Sequence, residues 1–163
     1  MAAIRKELWL AIEGGGSKTR LLLSDTARNI LAREIGGTSS GLYVQAPDYE
    51  AYAGRMRGLL RNIKASADAV QGRVTAVGLA APMVQELVTK LIREVLGEVT
   101  CVFTSEAAVA LACHDLTSGV SLVAGTGASC VALNEQGEGA GCGGFGPRSR
   151  GSCAMGNVLL RGD

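Results

Sequence analysis

The 163-residue chain lacks several things that a reader of function looks for first. It has one histidine, His114, and five cysteines with no Cys-x-x-Cys spacing. His114 stands beside Asp115 after a run of small residues, so the two read as polar residues at a helix end, with no partner for a histidine-dependent mechanism. Cys101, Cys113, Cys130, Cys142 and Cys153 are an odd set, which leaves zinc and thioredoxin-like readings without support. Cys101 and Cys130 lie in apolar runs and read as small buried residues in a reducing, cytoplasmic setting. An excess of charge is missing too: 16 Lys and Arg face 15 Asp and Glu, for a net charge of +1. No basic field exists to draw in a nucleic acid, and no block of like charge marks an interaction tail. No apolar run approaches the length of a membrane span, and no charged-then-apolar leader opens the chain. These absences lead to the expectation of a soluble, cytoplasmic protein with neither nucleic acid nor membrane as partner.

What the chain has in quantity is glycine, 23 residues clustered at 14–16, 36–41, 125–127 and 137–146. At the first cluster an apolar run ends in Glu13, and Gly14, Gly15, Gly16, Ser17, Lys18 and Thr19 lead into a second apolar run. The pattern is two strands joined by a short glycine turn. Glycines leave backbone N–H groups uncovered for an anion, while Lys18 adds a point charge and Ser17 and Thr19 add donors. Glu13 suits a hydrated divalent cation. The stretch serves equally as a glycine hairpin with a solvated lysine. It is not a P-loop, whose Gly-Lys-Ser/Thr follows a longer loop and opens a helix.

Taken in order, the chain predicts strands at 8–13, 19–25 and 29–34, the last two separated by the turn Asp25 to Asn29. Three antiparallel strands form a meander. The loop 36–41 is rich in hydroxyls, with Ser39 and Ser40 at its centre, and serves at least as a connector. A helix starts at Pro47-Asp48, with Tyr52, Met56, Leu59, Leu60 and Ile63 on one face and Arg55, Arg57, Arg61 and Lys64 solvated elsewhere. Val74 to Ala80 reads as a buried strand stopped by Pro82, Val84 to Leu96 as a helix capped by Gly97, and Val99 to Phe103 as another strand. Ser105 then caps a small-residue helix with Glu106 in its first turn, a place that any dipole-satisfying glutamate can take. This succession predicts a mixed α/β sheet with right-handed parallel crossovers, whose ligands gather at the carboxyl ends of the strands.

The opening pattern then recurs. Val120 to Ala124 predicts a strand, Gly125, Thr126, Gly127, Ala128 and Ser129 a second glycine and hydroxyl turn, and Cys130 to Leu133 a strand ending in the turn Asn134 to Gly137. Two such turns facing one cleft would clamp a polyphosphate from both sides.

These hairpins resemble the first and second phosphate motifs of the superfamily of sugar kinases, actin and heat-shock chaperones. Within it they are most similar to N-acetylglucosamine kinase and the ATPases that activate benzoyl-CoA reductase. Gly141 to Gly146 is similar to the glycine-rich segment that follows the second hairpin in N-acetylglucosamine kinase. The resemblance runs from about residue 8 to residue 147. It implies an ATP- and Mg²⁺-dependent kinase with ribonuclease H-like lobes: residues 1–117 as the first lobe and 118–163 as the opening strands of a second. By position, Glu13 would contact the Mg²⁺ shell, and Gly14 to Thr19 with Gly125, Thr126 and Gly127 would hold the phosphates. Glu106 stands where the family keeps an aspartate as catalytic base. Ser39 and Ser129 stand where the sugar kinases often keep asparagines, with Ser40 beside the first, and Gly144 and Phe145 would line the sugar pocket. After Pro147 the family continues with an acidic run, whereas this chain has Arg148-Ser149-Arg150. The implied function is phosphoryl transfer to an amino sugar, with a homodimer among the family's arrangements. The isolated chain, holding only the opening strands of the second lobe, is expected to self-associate and to lack kinase activity. An activator-type ATPase that couples nucleotide hydrolysis to a partner protein, and a non-catalytic sugar or phosphate sensor, are the competing expectations.

Overall fold

The structure is a computed structural model; it describes residues 5–15, 17–38, 49–80, 85–124 and 128–143. The opening meander consists of β1 (Lys6–Gly14), β2 (Thr19–Asp25) and β3 (Ile30–Gly36), antiparallel in sequence order. Alternation sets which face each strand buries: Leu8, Leu10 and Ile12 on β1 and Leu21 and Leu23 on β2 point to the same side and are almost fully buried. After the helix α1 (Tyr49–Ala69), β4 (Gly72–Ala80) inserts parallel to β1. The helix α2 (Gln85–Leu96) then returns the chain to β5 (Thr100–Thr104), parallel to β4. The sheet order is β3-β2-β1-β4-β5.

Both helices pack on the buried side. Tyr52, Met56, Leu60 and Ile63 of α1 and Val88, Leu91 and Ile92 of α2 join the strand residues in one core, with Leu59 partly buried against it. Gly97 ends α2 at φ +81, a left-handed conformation that glycine adopts without steric penalty. The predicted starts of both helices, at 47–48 and at Val84, and the stop at Pro82 lie outside the described residues. Tyr52 contributes its ring to the core and buries a hydroxyl with no hydrogen-bond partner among the described residues. That burial pushes its phenol up to about 12, against the pull of Arg55.

Three readings of side chains are corrected. Arg57 is paired with Glu94 of α2 at 2.9 Å, and Lys64 with Asp68 at 2.7 Å, so neither is merely solvated. Cys101 and Cys130 are only half-buried.

The chain divides into two compact units between Thr104 and Ser105. The second opens with α3 (Glu106–Ala112), where Ser105 Oγ accepts from the N–H of Ala108 at 3.0 Å. A second antiparallel meander follows: β6 (Gly119–Ala124), β7 (Ala128–Leu133) and β8 (Gly139–Gly143). The described part of the glycine-rich segment expected at 141–146, Gly141 to Gly143, lies in β8, which is paired to β7. The fold is α/β: a five-stranded mixed sheet of ribonuclease H-like order, then a three-stranded antiparallel sheet. Among the described residues no helix is long and apolar enough to cross a membrane.

Candidate functional site

The first glycine turn is built by the register of β1 and β2. Gly14 pairs with Thr19, and Glu13 with Arg20, leaving residues 15–18 to connect them. The N–H of Gly15 donates to the carbonyl of Lys18 at 2.9 Å, so this amide closes the turn and is not among the uncovered ones. The backbone N–H groups of Ser17 and Lys18 donate to no described residue. Lys18 is exposed. An anion approaching the turn therefore meets two backbone donors and a mobile cation.

Thr19 has a different job from the one expected. It is buried, and its Oγ1 donates to the carbonyl of Gly37 at 2.7 Å. Thr38 Oγ1 answers by donating to the carbonyl of Gly15 at 2.9 Å. Two hydroxyls thus stitch the glycine turn to the first residues of the hydroxyl-rich loop. Gly36 lets β3 end there, because a Cβ at this position would stand 2.7 Å from Leu59 Cδ1 of α1. Thr38 was not singled out from sequence. The signal was present in the pairing of Thr19 with Gly36, which brings the end of β3 alongside the turn.

Glu13 is the other residue whose surroundings add something. Arg20 Nη1 donates to Glu13 Oε2 at 2.9 Å, and both side chains are about half exposed at 45%. An exposed pair of this kind is weakly held, so a divalent cation with its phosphate ligands can compete for the carboxylate. Magnesium retains several waters and asks for only one or two carboxylates, which one glutamate at a strand end satisfies. Among the described residues no group of three or more His, Cys, Asp or Glu is placed to hold a metal by itself.

In the second unit, Glu106 occupies the first turn of α3 behind the Ser105 cap, half-buried. Ser129 lies on β7 opposite Val123 of β6 and Gly143 of β8. Gly16, Ser39, Ser40, Gly125, Thr126, Gly127, Gly144 and Phe145 lie outside the described residues. So the structure brings Glu13, Gly14, Gly15, Ser17, Lys18 and Thr19 together around one hairpin end, with Thr38 and Arg20 added.

No protein-family model matches the sequence. Solved structures do match the fold. A Chromobacterium violaceum protein assigned as an N-acetylglucosamine kinase is similar at TM-score 0.62 and 20% identity, over 87% of this chain and 50% of its own. A ROK family transcriptional regulator, homologous to E. coli MLC, gives 0.60 and 14%, over 83% of this chain and 38% of that one. A non-polymerising mutant of MamK, bound to AMPPNP, gives 0.52 and 14%, over 85% and 55%. The chain spans about half the length of the kinase and less of the regulator. Identities this low speak for architecture alone, and the architecture is the one these structures share.

Proposed function

We propose that the chain is the phosphate-turn portion of an ATP-dependent kinase acting on an amino sugar of the N-acetylglucosamine type. The observation that carries the reading is the stitch between the glycine turn and residues 37–38. It fixes the start of the loop assigned to sugar, which continues into Ser39 and Ser40, against the turn assigned to phosphate. A transferred phosphoryl group and its acceptor have to meet, and these two segments are already held together.

In this reading the N–H groups of Ser17 and Lys18 and the Lys18 ammonium hold phosphate oxygens, and Gly125, Thr126 and Gly127 supply a second cradle. Glu13, now bonded to Arg20, would hold Mg²⁺, which would supply neutralisation of phosphate charge. Glu106 takes the proton of the sugar hydroxyl, and Ser39, Ser40, Ser129, Gly144 and Phe145 contact the sugar. Phosphoryl transfer depends mainly on such positioning and charge neutralisation, with proton acceptance contributing on the order of 10²–10⁴ in rate. The kinase, the regulator and MamK support the fold, and AMPPNP bound to MamK supports a nucleotide as ligand.

Because the chain spans half the length of the kinase it is similar to, binding is the first readout. Titration calorimetry with ATP and Mg²⁺ is expected to show one site, weakened about tenfold by Lys18→Ala, the loss of one charge-assisted contact. Glu106→Gln is expected to leave that binding unchanged. ATP that fails to bind, or binds equally well to Lys18→Ala, overturns the phosphate role of the turn. N-acetylglucosamine added to the ATP complex distinguishes the alternatives: hydrolysis indifferent to sugar indicates the activator-type ATPase, and sugar binding without nucleotide binding the sensor.

A further inference from the structure

Two strands end the five-stranded sheet, and they are guarded differently. Edge strands invite foreign strands unless charge, proline or a bulge discourages pairing. β3 carries Arg33 and Glu34. β5, Thr-Cys-Val-Phe-Thr, carries neither a charge nor a proline. Its outer side pairs with no strand among the described residues and has a groove beside it. About 510 Å³ of open space lies over Phe103 along one flank of α2, lined by Gln85, Glu86, Thr89, Lys90 and Arg93. The neighbouring flank of α2 is taken up by α1, through the bond from Arg57 Nε to Glu94 Oε1. The grooved flank is the one turned away from α1.

We propose that this edge and groove form a docking site for an extended acidic segment of a partner protein, which adds to β5 as a further strand. Strand addition satisfies the open backbone groups of the edge, and pockets for alternate side chains supply selectivity. On β5, Cys101 and Phe103 pair with Val77 and Leu79, whose side chains lie under the helices, so the incoming strand turns every second residue toward α2. Those residues meet an aromatic floor and two cations, Lys90 and Arg93, with Glu86 in the lining; Glu94, one turn from Lys90, is held by Arg57 of α1. The favoured occupant alternates, with an apolar residue over Phe103 and acids toward the cations. Arg93 is also the charge that counters the burial-driven rise of the Cys101 thiol, consistent with a guanidinium reaching toward the strand. Five residues of pairing, Thr100–Thr104, span about 16 Å, enough for a short linear segment.

The probe is a fluorescein-labelled hexapeptide, Val-Leu-Val-Glu-Val-Glu, which presents one leucine and two glutamates to a single face. Saturable anisotropy is expected with the wild-type chain. At least a tenfold loss is expected with Lys90→Glu/Arg93→Glu, two exposed changes whose folding is checked by circular dichroism. A similar loss is expected when alternate peptide nitrogens on the pairing side are methylated. Among Thr100–Thr104, the alternate amides that point away from β4 are expected to exchange fast in the free chain and slowly with peptide. The proposal is overturned by absence of saturable binding, by binding that survives both charge reversal and methylation, or by edge amides protected without peptide, which would mean the protein's own chain covers them. Dimerisation through β5 in sedimentation, abolished by Val102→Pro, would assign the edge to a second copy and overturn it equally.

Discussion

The two meanders begin from the same local pattern and end in different surroundings. In the first, Leu10, Ile12, Leu21 and Leu23 are at most 2% exposed, because α1 and α2 cover them and β4 extends the sheet. In the second, Val120 is 69% and Leu122 64% exposed. α3 packs on the other face of β6, that of Gly119 and Ser121, so among the described residues no helix of this unit covers Val120 and Leu122. Alternation and a glycine turn are enough to make a hairpin, but burial depends on what else packs against it. The local pattern thus gives the hairpin and leaves its burial to the rest of the fold.

The largest expected effect tests that contrast. Leu10→Ala in the first meander should lower the unfolding free energy by about 3–5 kcal/mol, since a buried leucine leaves a cavity as well as losing its transfer energy. That is a large part of the roughly 5–15 kcal/mol typical of a domain. Leu122→Ala should change it by less than about 0.5 kcal/mol, as exposed positions do. Urea titration followed by circular dichroism decides between them; equal losses would mean that Leu122 is covered in solution and that the two meanders are equally packed.

How much of this was legible before the structure follows the same division. The helical face of Tyr52, Met56, Leu60 and Ile63 and the strand alternation of β1 and β2 are local periodicities, and they were read directly. The pairing of Arg57 with Glu94 joins residues 37 apart and has no local signature, whereas Lys64 with Asp68 is an i,i+4 pair that the sequence displayed. The turn Asn134 to Gly137 pointed to a returning strand, but the glycine composition of residues 139–143 hid its bounds; pairing with β7 sets them. At the candidate site, the turn and Glu13 were visible as residue types. The stitch from Thr19 and Thr38 depends on where β3 ends relative to the turn, and that is a matter of register.

A finer comparison lies in the turns that close the second hairpin of each meander. The two are built alike. Asp25 N–H donates to Asn29 O and Arg28 N–H to Asp25 O in one; Asn134 N–H donates to Glu138 O and Gly137 N–H to Asn134 O in the other. The fourth of the five residues is left-handed in both, at φ 67 for Arg28 and φ 78 for Gly137. A side chain there is strained, and a Cβ on Gly137 would meet only open space, so the backbone alone sets the effect. Gly137→Ala should destabilise by about 1 kcal/mol. Arg28→Gly should stabilise by at most about 0.5 kcal/mol, because relief of strain is offset by the freedom glycine gains when unfolded. Thermal melts of the two variants check the opposite signs. A loss on Arg28→Gly would show that the arginine side chain contributes a contact that outweighs its backbone strain.

The same two turns differ in one titratable atom, and acid should tell them apart. Asp25 accepts at Oδ1 from the N–H of Asn29 and at Oδ2 from Asn29 Nδ2, both at 2.9 Å. Those bonds, the side-chain one foremost, hold its carboxyl below the usual carboxylate range. A folded-state value lowered from 3.8 means that the contribution is complete above that pH and disappears as the pH falls through the lower, folded value. In the second turn Asn134 Oδ1 accepts from the N–H of Gln136 at 3.1 Å and of Glu138 at 2.8 Å, and an amide oxygen does not titrate here. Lowering the pH from about 5 to about 2.5 should therefore speed exchange of the Asn29 N–H, once corrected for the intrinsic rate, and leave the Glu138 N–H nearly unchanged. Glu138 also accepts at Oε2 from Asn134 Nδ2, but that bond flanks the turn and does not close it. Asp25→Asn should convert the first turn to the acid-indifferent behaviour of the second. If both amides loosen together in wild-type protein, the turns are coupled through the rest of the fold and the carboxylate of Asp25 is not what acid removes.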